Sequence, residues 1–277
     1  DGLFAVVAFL VFMSGNALNF VALGMIQESL VTLLGAWALV INVFSAKLML
    51  GEEPGPLDGM AVGLIVAGIS LCVVGSVPNH KKWCVRELVA QYTKPAVVVL
   101  MVLNACLIAS LVSLQISFRA FQRRTGSRDI PLSVRFSYIF TGAQISWFTV
   151  LFGKSFSLLL LPSLAGDNQF IEPFCAVIVA GFLVSLPSQL FYVASSLTIN
   201  DALFHVPNFF IFYNLGSLIG GALLYDEMAE FATSNVVIFT IGVLVLISGV
   251  LVVNRSQRLK RERLEAAAAA AAGPGEA

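Results

Sequence analysis

Apolar runs of about 20 residues recur along this sequence, and that is the length an α-helix needs to cross the hydrocarbon layer of a bilayer. Runs such as "AVVVLMVLNACLIASLVSL" do not alternate apolar and polar residues as the strands of a membrane β-barrel do. Charged residues make up 12% of the 277 residues, against about 25% in soluble domains, and mean hydropathy is +0.90. We mark eight runs, near residues 3–23, 29–50, 57–77, 95–117, 134–161, 171–194, 203–225 and 234–253. The sequence therefore predicts an all-α integral membrane protein with eight transmembrane helices in this chain.

The formal net charge is zero, which gives no argument for a nucleic-acid partner, so the basic residues are interpreted by position. Eight spans place ten basic residues on one side of the membrane: Arg119, Arg123, Arg124, Arg128, Arg135, Arg255, Arg258, Lys260, Arg261 and Arg263. The other side has four: Lys81, Lys82, Arg86 and Lys94. Because cytoplasmic loops are enriched in Lys and Arg, we expect the C-terminus in the cytoplasm or in the equivalent compartment of an organelle. The sequence does not indicate which membrane this is.

The sequence contains no motif that is typical of an enzyme active site or of a metal cluster. The four cysteines show no CxxC spacing, and the two histidines, His80 and His205, lie in no HExxH or similar pattern. There is also no glycine-rich phosphate-binding loop. We expect no enzyme activity, no cofactor and no required disulfide.

The chain repeats itself at a constant shift of 174 in residue number. The aligned pairs are Leu50 with Leu224, Glu53 with Glu227, Val62 with Val236, Gly68 with Gly242, and Gly75 with Gly249. Spans two and three thus repeat as spans seven and eight, and span one corresponds to span six. Corresponding helices are five spans apart, so the two copies cross the membrane in opposite directions. Such inverted-topology repeats are the architecture of many secondary transporters.

The repeat predicts four segments. Residues 1–78 form a first repeat of three helices, residues 79–132 a linker helix and a basic loop, residues 133–254 a second repeat of four helices, and residues 255–277 a basic and then alanine-rich tail. The first repeat lacks the counterpart of span five. We therefore expect that opening helix before Asp1, in a parent protein of nine helices.

One long stretch carries a resemblance to a known family. The segment "NALNFVALGMIQESLVTLLGAWALVINVFSAKLMLGEEPGPLDGMAVGLIVAGISLCVVG" resembles the drug/metabolite transporter superfamily, also called the DMT or EamA-like superfamily, in which an apolar helix ends in LGE before a glycine-spaced helix. Within that superfamily it is most similar to the NIPA-like magnesium transporters. Asn19 and Phe20 match an Asn-Phe pair of that branch, and residues 30–32 match its Leu-Val-Thr helix start.

The second copy resembles the same branch, which implies transport of Mg²⁺ or another small cation. Gln189 and Pro207 stand where that branch has a glutamine and a Thr-Pro-Ile-Tyr-Tyr helix start. Two positions depart from the pattern: Asn16 stands where an acidic residue is typical, and Leu33 replaces a proline. Divalent cations prefer oxygen ligands that include a carboxylate or retained water. The metal ligands are therefore unknown, with Asn16 and Asn19 as candidates.

Polar side chains inside apolar spans are the candidate substrate-binding residues, because they are costly in lipid, although bonds between helices explain many of them. The candidates are Asn16, Asn19, Asn42, Gln144, Lys154, Gln189, Asn208 and Asn214. Lys154 is interpreted either as a counter-charge for an anionic solute or as the partner of a carboxylate elsewhere.

Other features receive a structural interpretation. The acidic helix ends at residues 52–53 and 226–227 are interpreted as caps and charges at the membrane surface, and Glu28 as part of a turn. The spaced glycines are interpreted as helix contacts. They are Gly68, Gly75, Gly216, Gly220, Gly242 and Gly249.

Three functions stay open at this point. The leading hypothesis is a transporter of Mg²⁺ or another small cation. The second is the same fold carrying a small organic or anionic metabolite, motivated by Asn16 and Lys154. The third is a non-transporting scaffold subunit, derived from a transporter, in a larger membrane complex. The expected partners are the lipid bilayer and a small ion or polar solute, and a dimer or a larger assembly also stays open.

Overall fold

The computed structural model describes residues 2–41, 44, 55–77, 83–126, 129–170, 172–229 and 231–271. In these ranges every regular element is an α-helix, which confirms the predicted all-α class. The helices are α1 (Gly2–Met25), α2 (Glu28–Leu34), α3 (Pro56–Gly75), α4 (Val85–Tyr92), α5 (Pro95–Thr125), α6 (Leu132–Leu164), α7 (Phe174–Ile199), α8 (Ala202–Leu224) and α9 (Thr233–Ala271).

Six helices of the described chain are long and apolar enough to cross a membrane. They are Pro56–Gly75, Pro95–Thr125, Leu132–Leu164, Phe174–Ile199, Phe204–Leu224 and Thr233–Arg263, and they coincide with predicted spans three to eight. Large apolar side chains such as Leu103 (63% exposed) and Val184 (66% exposed) lie on their surfaces, where lipid is the compatible solvent. The protein is thus a multi-pass integral membrane protein. Predicted span one coincides with α1, and predicted span two lies partly outside the described residues.

The ends of the long helices follow ordinary local rules. Proline at the first position begins α5 after Lys94, where a missing backbone N–H costs nothing. The same helix ends at Gly126, whose φ of 67° is the left-handed conformation that glycine adopts most easily. The start of α3 is fixed by Asp58, whose Oδ2 accepts a hydrogen bond of 2.8 Å from the backbone N–H of Gly55.

The chain forms two compact units. The first comprises Asp1–Thr32, Val77–Asn200 and Asn208–Glu230, and the second comprises Leu33–Ser76, Asp201–Pro207 and Phe231–Ala277. In the first unit α6 is the central helix, because it packs against α1, α5 and α7. Its buried core includes Leu88, Tyr92, Trp147, Leu151, Ile178 and Tyr225.

In the second unit α3 and α9 pack closely along most of their lengths. A Cβ added to Gly68 would lie 2.6 Å from the backbone N of Leu246, and one added to Gly242 would lie 2.7 Å from the backbone N of Cys72. The shift of 174 predicted from the sequence exchanges these contacts, since 68 becomes 242 and 72 becomes 246.

A second pair of contacts between α3 and α9 behaves in the same way. An added Cβ on Gly75 would lie 2.6 Å from the backbone N of Phe239, and one on Gly249 would lie 2.9 Å from the backbone N of Ile65. Residue numbers rise along α3 as they fall along α9, so the two helices run antiparallel. Glycine permits this close approach of two backbones.

The second unit also anchors the basic end of α9. The carboxylate of Asp58, which is 2% exposed, accepts hydrogen bonds from Ser256 Oγ at 2.6 Å and from Lys260 Nζ at 2.7 Å. Farther along, Arg261 forms an ion pair with Asp201. The start of α3 therefore holds the helix that continues beyond the last span.

Candidate functional site

A buried ion pair lies inside the first unit. Lys154 projects from α6, and Glu227 lies three residues after α8 ends at Leu224. The Lys154 Nζ atom is 2.5 Å from Glu227 Oε1, and the two side chains are only 5% and 3% exposed. The same ammonium lies 4.3 Å from the ring centroid of Tyr225, a cation–π distance. Lys154 is thus held by one carboxylate and one aromatic ring.

The Glu227 carboxylate is fully bonded. Oε1 also accepts the backbone N–H of Glu28 at 2.5 Å, and Oε2 accepts the backbone N–H of Ser29 at 3.2 Å as well as the Ser29 hydroxyl. Buried charges are tolerated when they are both paired and hydrogen-bonded. Glu227 meets both conditions, and it is buried within the protein, which the sequence did not predict.

The turn after α8 gives two consecutive carboxylates, those of Asp226 and Glu227, different binding partners. Asp226 has a φ of 51°, in the left-handed region. Its carboxylate accepts hydrogen bonds from Lys94 Nζ at 2.8 and 2.9 Å and from Gln91 Nε2 at 2.8 Å, with the side chain 36% exposed. Glu227 is buried instead, and Gly221 leaves room for it, since an added Cβ there would lie 2.7 Å from Glu227 Oε2.

Glu28 is a second buried carboxylate beside this pair. It is 0% exposed, and within the described chain neither of its carboxylate oxygens has a hydrogen-bond partner. Its backbone N–H donates to Glu227, so its carboxylate lies within one side-chain length of the ion pair. Burial raises the pKa of Glu28 well above its usual range, the negative charge of Glu227 raises it further, and the positive charge of Lys154 lowers it. Because buried polar groups are nearly always bonded, an unbonded carboxylate among the described residues marks Glu28 as a candidate ligand.

A chain of hydroxyl groups supports the site from one side. The Tyr225 hydroxyl donates to the backbone oxygen of Leu151 at 2.7 Å, so it accepts from Ser155 at 2.8 Å, and Ser155 in turn accepts from Tyr92 at 2.8 Å. Burial raises the pKa of Tyr92 and of Tyr225 above the usual range, and the negative charge of Glu28 raises both further. Both phenols therefore stay neutral, and this network fixes the ring that contacts Lys154.

A small cavity of about 40 Å³ lies against the ion pair. Its lining comprises residues 24–27 together with Trp83, Lys154, Leu158, Tyr225 and Glu227. A single water needs about 10–15 Å³ measured in this way. The cavity therefore has room for a small cation or for a few waters next to Lys154 and Glu227.

Lys154 is the one predicted candidate that lies at this site among the described residues. Gln144, which is 9% exposed, accepts a hydrogen bond of 2.8 Å from Trp147 Nε1 and lines a different, mostly apolar cavity of about 250 Å³. Asn214 is buried, and its Nδ2 donates to the backbone oxygen of Phe210 at 2.8 Å within α8. The structure thus places Gln144 and Lys154 at two separate cavities.

The other candidates lie elsewhere. Gln189 and Asn208 are half-buried on α7 and α8, whereas Asn16 and Asn19 are exposed on α1. Asn42 lies outside the described residues. Where the structure describes the chain, no group of three or more His, Cys, Asp or Glu side chains is arranged to hold a metal ion. The roles of these residues stay predictions.

Sequence reasoning missed Glu28 and Glu227 as site residues. The available signal was Lys154 itself, since a lysine inside an apolar span needs a carboxylate partner. Many carboxylates adjoin the spans, and both missed glutamates are among them. The sequence alone did not indicate which of these carboxylates pairs with Lys154.

The profile of the family described as Magnesium transporter NIPA matches residues 4–259. The chain belongs to the NIPA family. The resemblance inferred from the sequence is thereby confirmed.

Individual NIPA relatives are similar at modest identity. A probable magnesium transporter of Candida albicans is 21% identical over 243 residues, which cover 88% of this chain and 63% of the relative. Probable magnesium transporter NIPA8 of Arabidopsis thaliana is 25% identical over 258 residues, covering 88% and 56%. Magnesium transporter NIPA4 of Homo sapiens is 22% identical over 242 residues, covering 87% and 57%. The chain thus spans little more than half the length of these relatives. No solved structure matches it.

Proposed function

We propose that this NIPA-family chain transports Mg²⁺ across a membrane and that Glu28 and Glu227 are the carboxylates that meet the cation. The observation that carries the proposal is the buried carboxylate of Glu28, whose oxygens have no hydrogen-bond partner among the described residues. Mg²⁺ in proteins is held by one or two carboxylates and keeps several waters. Glu227 borders a cavity with room for water, and Glu28, whose backbone N–H donates to Glu227, supplies the second carboxylate of that ligand set.

The surroundings of Lys154 count against an anionic metabolite as the substrate. Its ammonium is already bonded to Glu227 and lies over the ring of Tyr225. An anionic solute would have to compete with a carboxylate that is covalently part of the site. Of the two interpretations of Lys154, partnership with a carboxylate therefore has the stronger support.

We also propose the inverted-repeat architecture, with eight spans in this chain. The reciprocal contacts of α3 and α9 support it. Gly68 meets Leu246 where Gly242 meets Cys72, and a shift of 174 in residue number converts one contact into the other. Helices related by an inverted repeat must run antiparallel, and α3 and α9 do so. The four sequence segments ending at residues 78, 132, 254 and 277, and a cytoplasmic C-terminus, belong to the same proposal.

A flux measurement on the full-length protein tests the transport function. Purified protein in liposomes that contain a Mg²⁺ indicator should admit Mg²⁺ down its gradient. Glu28→Gln keeps the size of the side chain and removes its charge, so we expect flux to fall by about tenfold or more, whereas Glu262→Gln in the exposed tail should leave it unchanged.

Two outcomes separate the parts of the proposal. Wild-type flux equal to that of empty vesicles overturns Mg²⁺ transport, and stable copurification with other subunits would then favour the scaffold function. Full flux through Glu28→Gln, with the wild type active, overturns only the role of Glu28.

A further inference from the structure

We infer that Lys154 is a tethered cation that occupies Glu227 when no substrate is bound, and that a divalent cation binds between Glu28 and Glu227 by displacing it. This inference rests on the proposed transport of a cation at the same site. It assigns to Lys154 a specificity-determining and regulatory role rather than a role in binding an anion.

The donors around Glu227 differ in their freedom to leave. Three of the four are held near the start of α2: the backbone N–H groups of Glu28 and Ser29 and the Ser29 hydroxyl. The backbone donors cannot withdraw without a change in the chain path. The fourth donor is the ammonium of Lys154, at the end of a flexible stem of four carbons. The position next to Glu227 Oε1 is therefore the one that a side-chain movement can vacate.

The charges of the site favour one cation at a time. When a divalent ion lies between them, Glu28 and Glu227 are both ionised and supply two negative charges, whereas Lys154 supplies one positive charge. A divalent ion between the two carboxylates neutralises both, and an ammonium kept at Glu227 Oε1 would lie in direct contact with the oxygen that binds the ion. Repulsion between two cations at so short a distance is strong in a low-dielectric interior. Binding of the ion and the contact of Lys154 with Glu227 are therefore mutually exclusive.

The structure also contains a place for the displaced ammonium. The cavity lined by Lys154, Glu227 and Gln27 adjoins the ion pair. The Tyr225 ring, 4.3 Å from Nζ, can keep a cation–π contact while the ammonium leaves Oε1. The side chain of Lys154 thus needs only a short movement, from Glu227 Oε1 into the adjoining cavity.

A neighbouring ion pair provides a matched control. Lys94 pairs with Asp226, the residue immediately before Glu227, at 2.8 Å. Its side chain is 41% exposed and that of Asp226 is 36% exposed, so water screens this pair. If Lys154 competes with the substrate because it is buried at the site, removal of Lys94 should not reproduce the effect of removing Lys154.

The experiment measures Mg²⁺ binding and transport separately on the full-length protein. Binding is read as the Mg²⁺ concentration that gives half of the thermal stabilisation in detergent, and transport as initial flux into liposomes. Lys154→Met removes the competing charge and keeps an unbranched side chain of nearly the same length. We expect its half-stabilising Mg²⁺ concentration to fall by about tenfold, in the usual range of coupling between two ligands, while Lys94→Met stays at the wild-type value.

Lys154→Arg is the second variant. Because it keeps a positive charge beside Glu227, it tests the inference even if Lys154→Met does not fold. A guanidinium can bind Glu227 through two N–H groups, so the half-stabilising Mg²⁺ concentration should rise. An unchanged midpoint in both variants, or a rise in Lys154→Met, overturns the inference. A wild-type protein with neither Mg²⁺-dependent stabilisation nor flux overturns the proposed function instead, so the two failures are distinguishable.

Discussion

A Cβ added to Gly221 would lie 2.7 Å from Oε2 of Glu227 and 3.1 Å from the Ser29 hydroxyl oxygen. The carboxylate cannot move aside freely, because the backbone N–H groups of residues 28 and 29 and Lys154 all bind it. Gly221→Ala should therefore cost about 1–3 kcal/mol of stability by overpacking and reduce Mg²⁺ flux. Thermal unfolding in detergent measures the first effect. Gly59→Ala, where nothing lies within 4 Å, is the control, and equal losses in both variants would contradict the prediction.

The ring and the hydroxyl of Tyr225 should have separable effects. Tyr225→Phe keeps the ring that contacts Lys154 but loses the hydrogen bonds with Leu151 and Ser155. We expect it to lower stability by about 1–2 kcal/mol and to leave the Mg²⁺ midpoint unchanged. Tyr225→Leu also removes the cation–π contact and should shift that midpoint. If the two variants have the same Mg²⁺ midpoint, the ring has no role in holding Lys154.

Stability should fall at alkaline pH because of Tyr92 and Tyr225. Their folded pKa values are raised, mainly by burial, whereas tyrosine in an unfolded chain loses its proton near pH 10. Above about pH 10 the unfolded chain releases protons that the folded protein keeps, so the contribution of these phenols is complete below that pH and declines as pH rises. Unfolding temperatures measured across this range, in the wild type and in Tyr225→Phe, isolate the effect. Ionisation of all five tyrosines near pH 10 before unfolding would contradict it.

The spans were accessible from the sequence because hydropathy is a local property. Predicted spans three to eight coincide with six helices, and the repeated glycines lie where α3 and α9 meet. The site was not accessible in the same way. Lys154 is 73 residues from Glu227, and Glu28 is 199 residues from it. Neither separation leaves a periodic signal.

The burial of Glu227, which the sequence did not predict, has a specific physical cause. In sequence it follows an apolar helix next to another acidic residue, which is the pattern of a charge at the membrane surface. The left-handed conformation of Asp226 gives the two carboxylates different environments, and only the tertiary fold brings Lys154 within reach of Glu227. Asp226, with its partners Lys94 and Gln91, is the one that remains partly exposed.

Asp58 should control how firmly the basic end of α9 is held. Its carboxylate binds Ser256 and Lys260, which ties that end to the start of α3. Asp58→Ala should expose residues 255–263 by local opening and speed tryptic cleavage there by several-fold, roughly the effect of losing about 1 kcal/mol. Mass spectrometry of early digestion products measures the rate. Glu262→Ala, which changes an exposed carboxylate on the same helix, should leave it unaltered. Equal cleavage rates would show that Asp58 does not anchor the tail.

The reciprocal contacts predict equal costs at two distant positions. Gly68→Ala would press against the backbone N of Leu246 at 2.6 Å, and Gly242→Ala against that of Cys72 at 2.7 Å, so the two clashes are nearly the same. Each should lower stability by about 1–3 kcal/mol. The double variant should cost less than the sum, because the first Cβ already separates the two helices and residues in one contact couple. Gly15→Ala on α1, where nothing lies within 4 Å, controls for the added methyl group. Unequal single costs with an additive double variant would mean that the two glycines act at independent sites, which is incompatible with a symmetric contact between inverted copies.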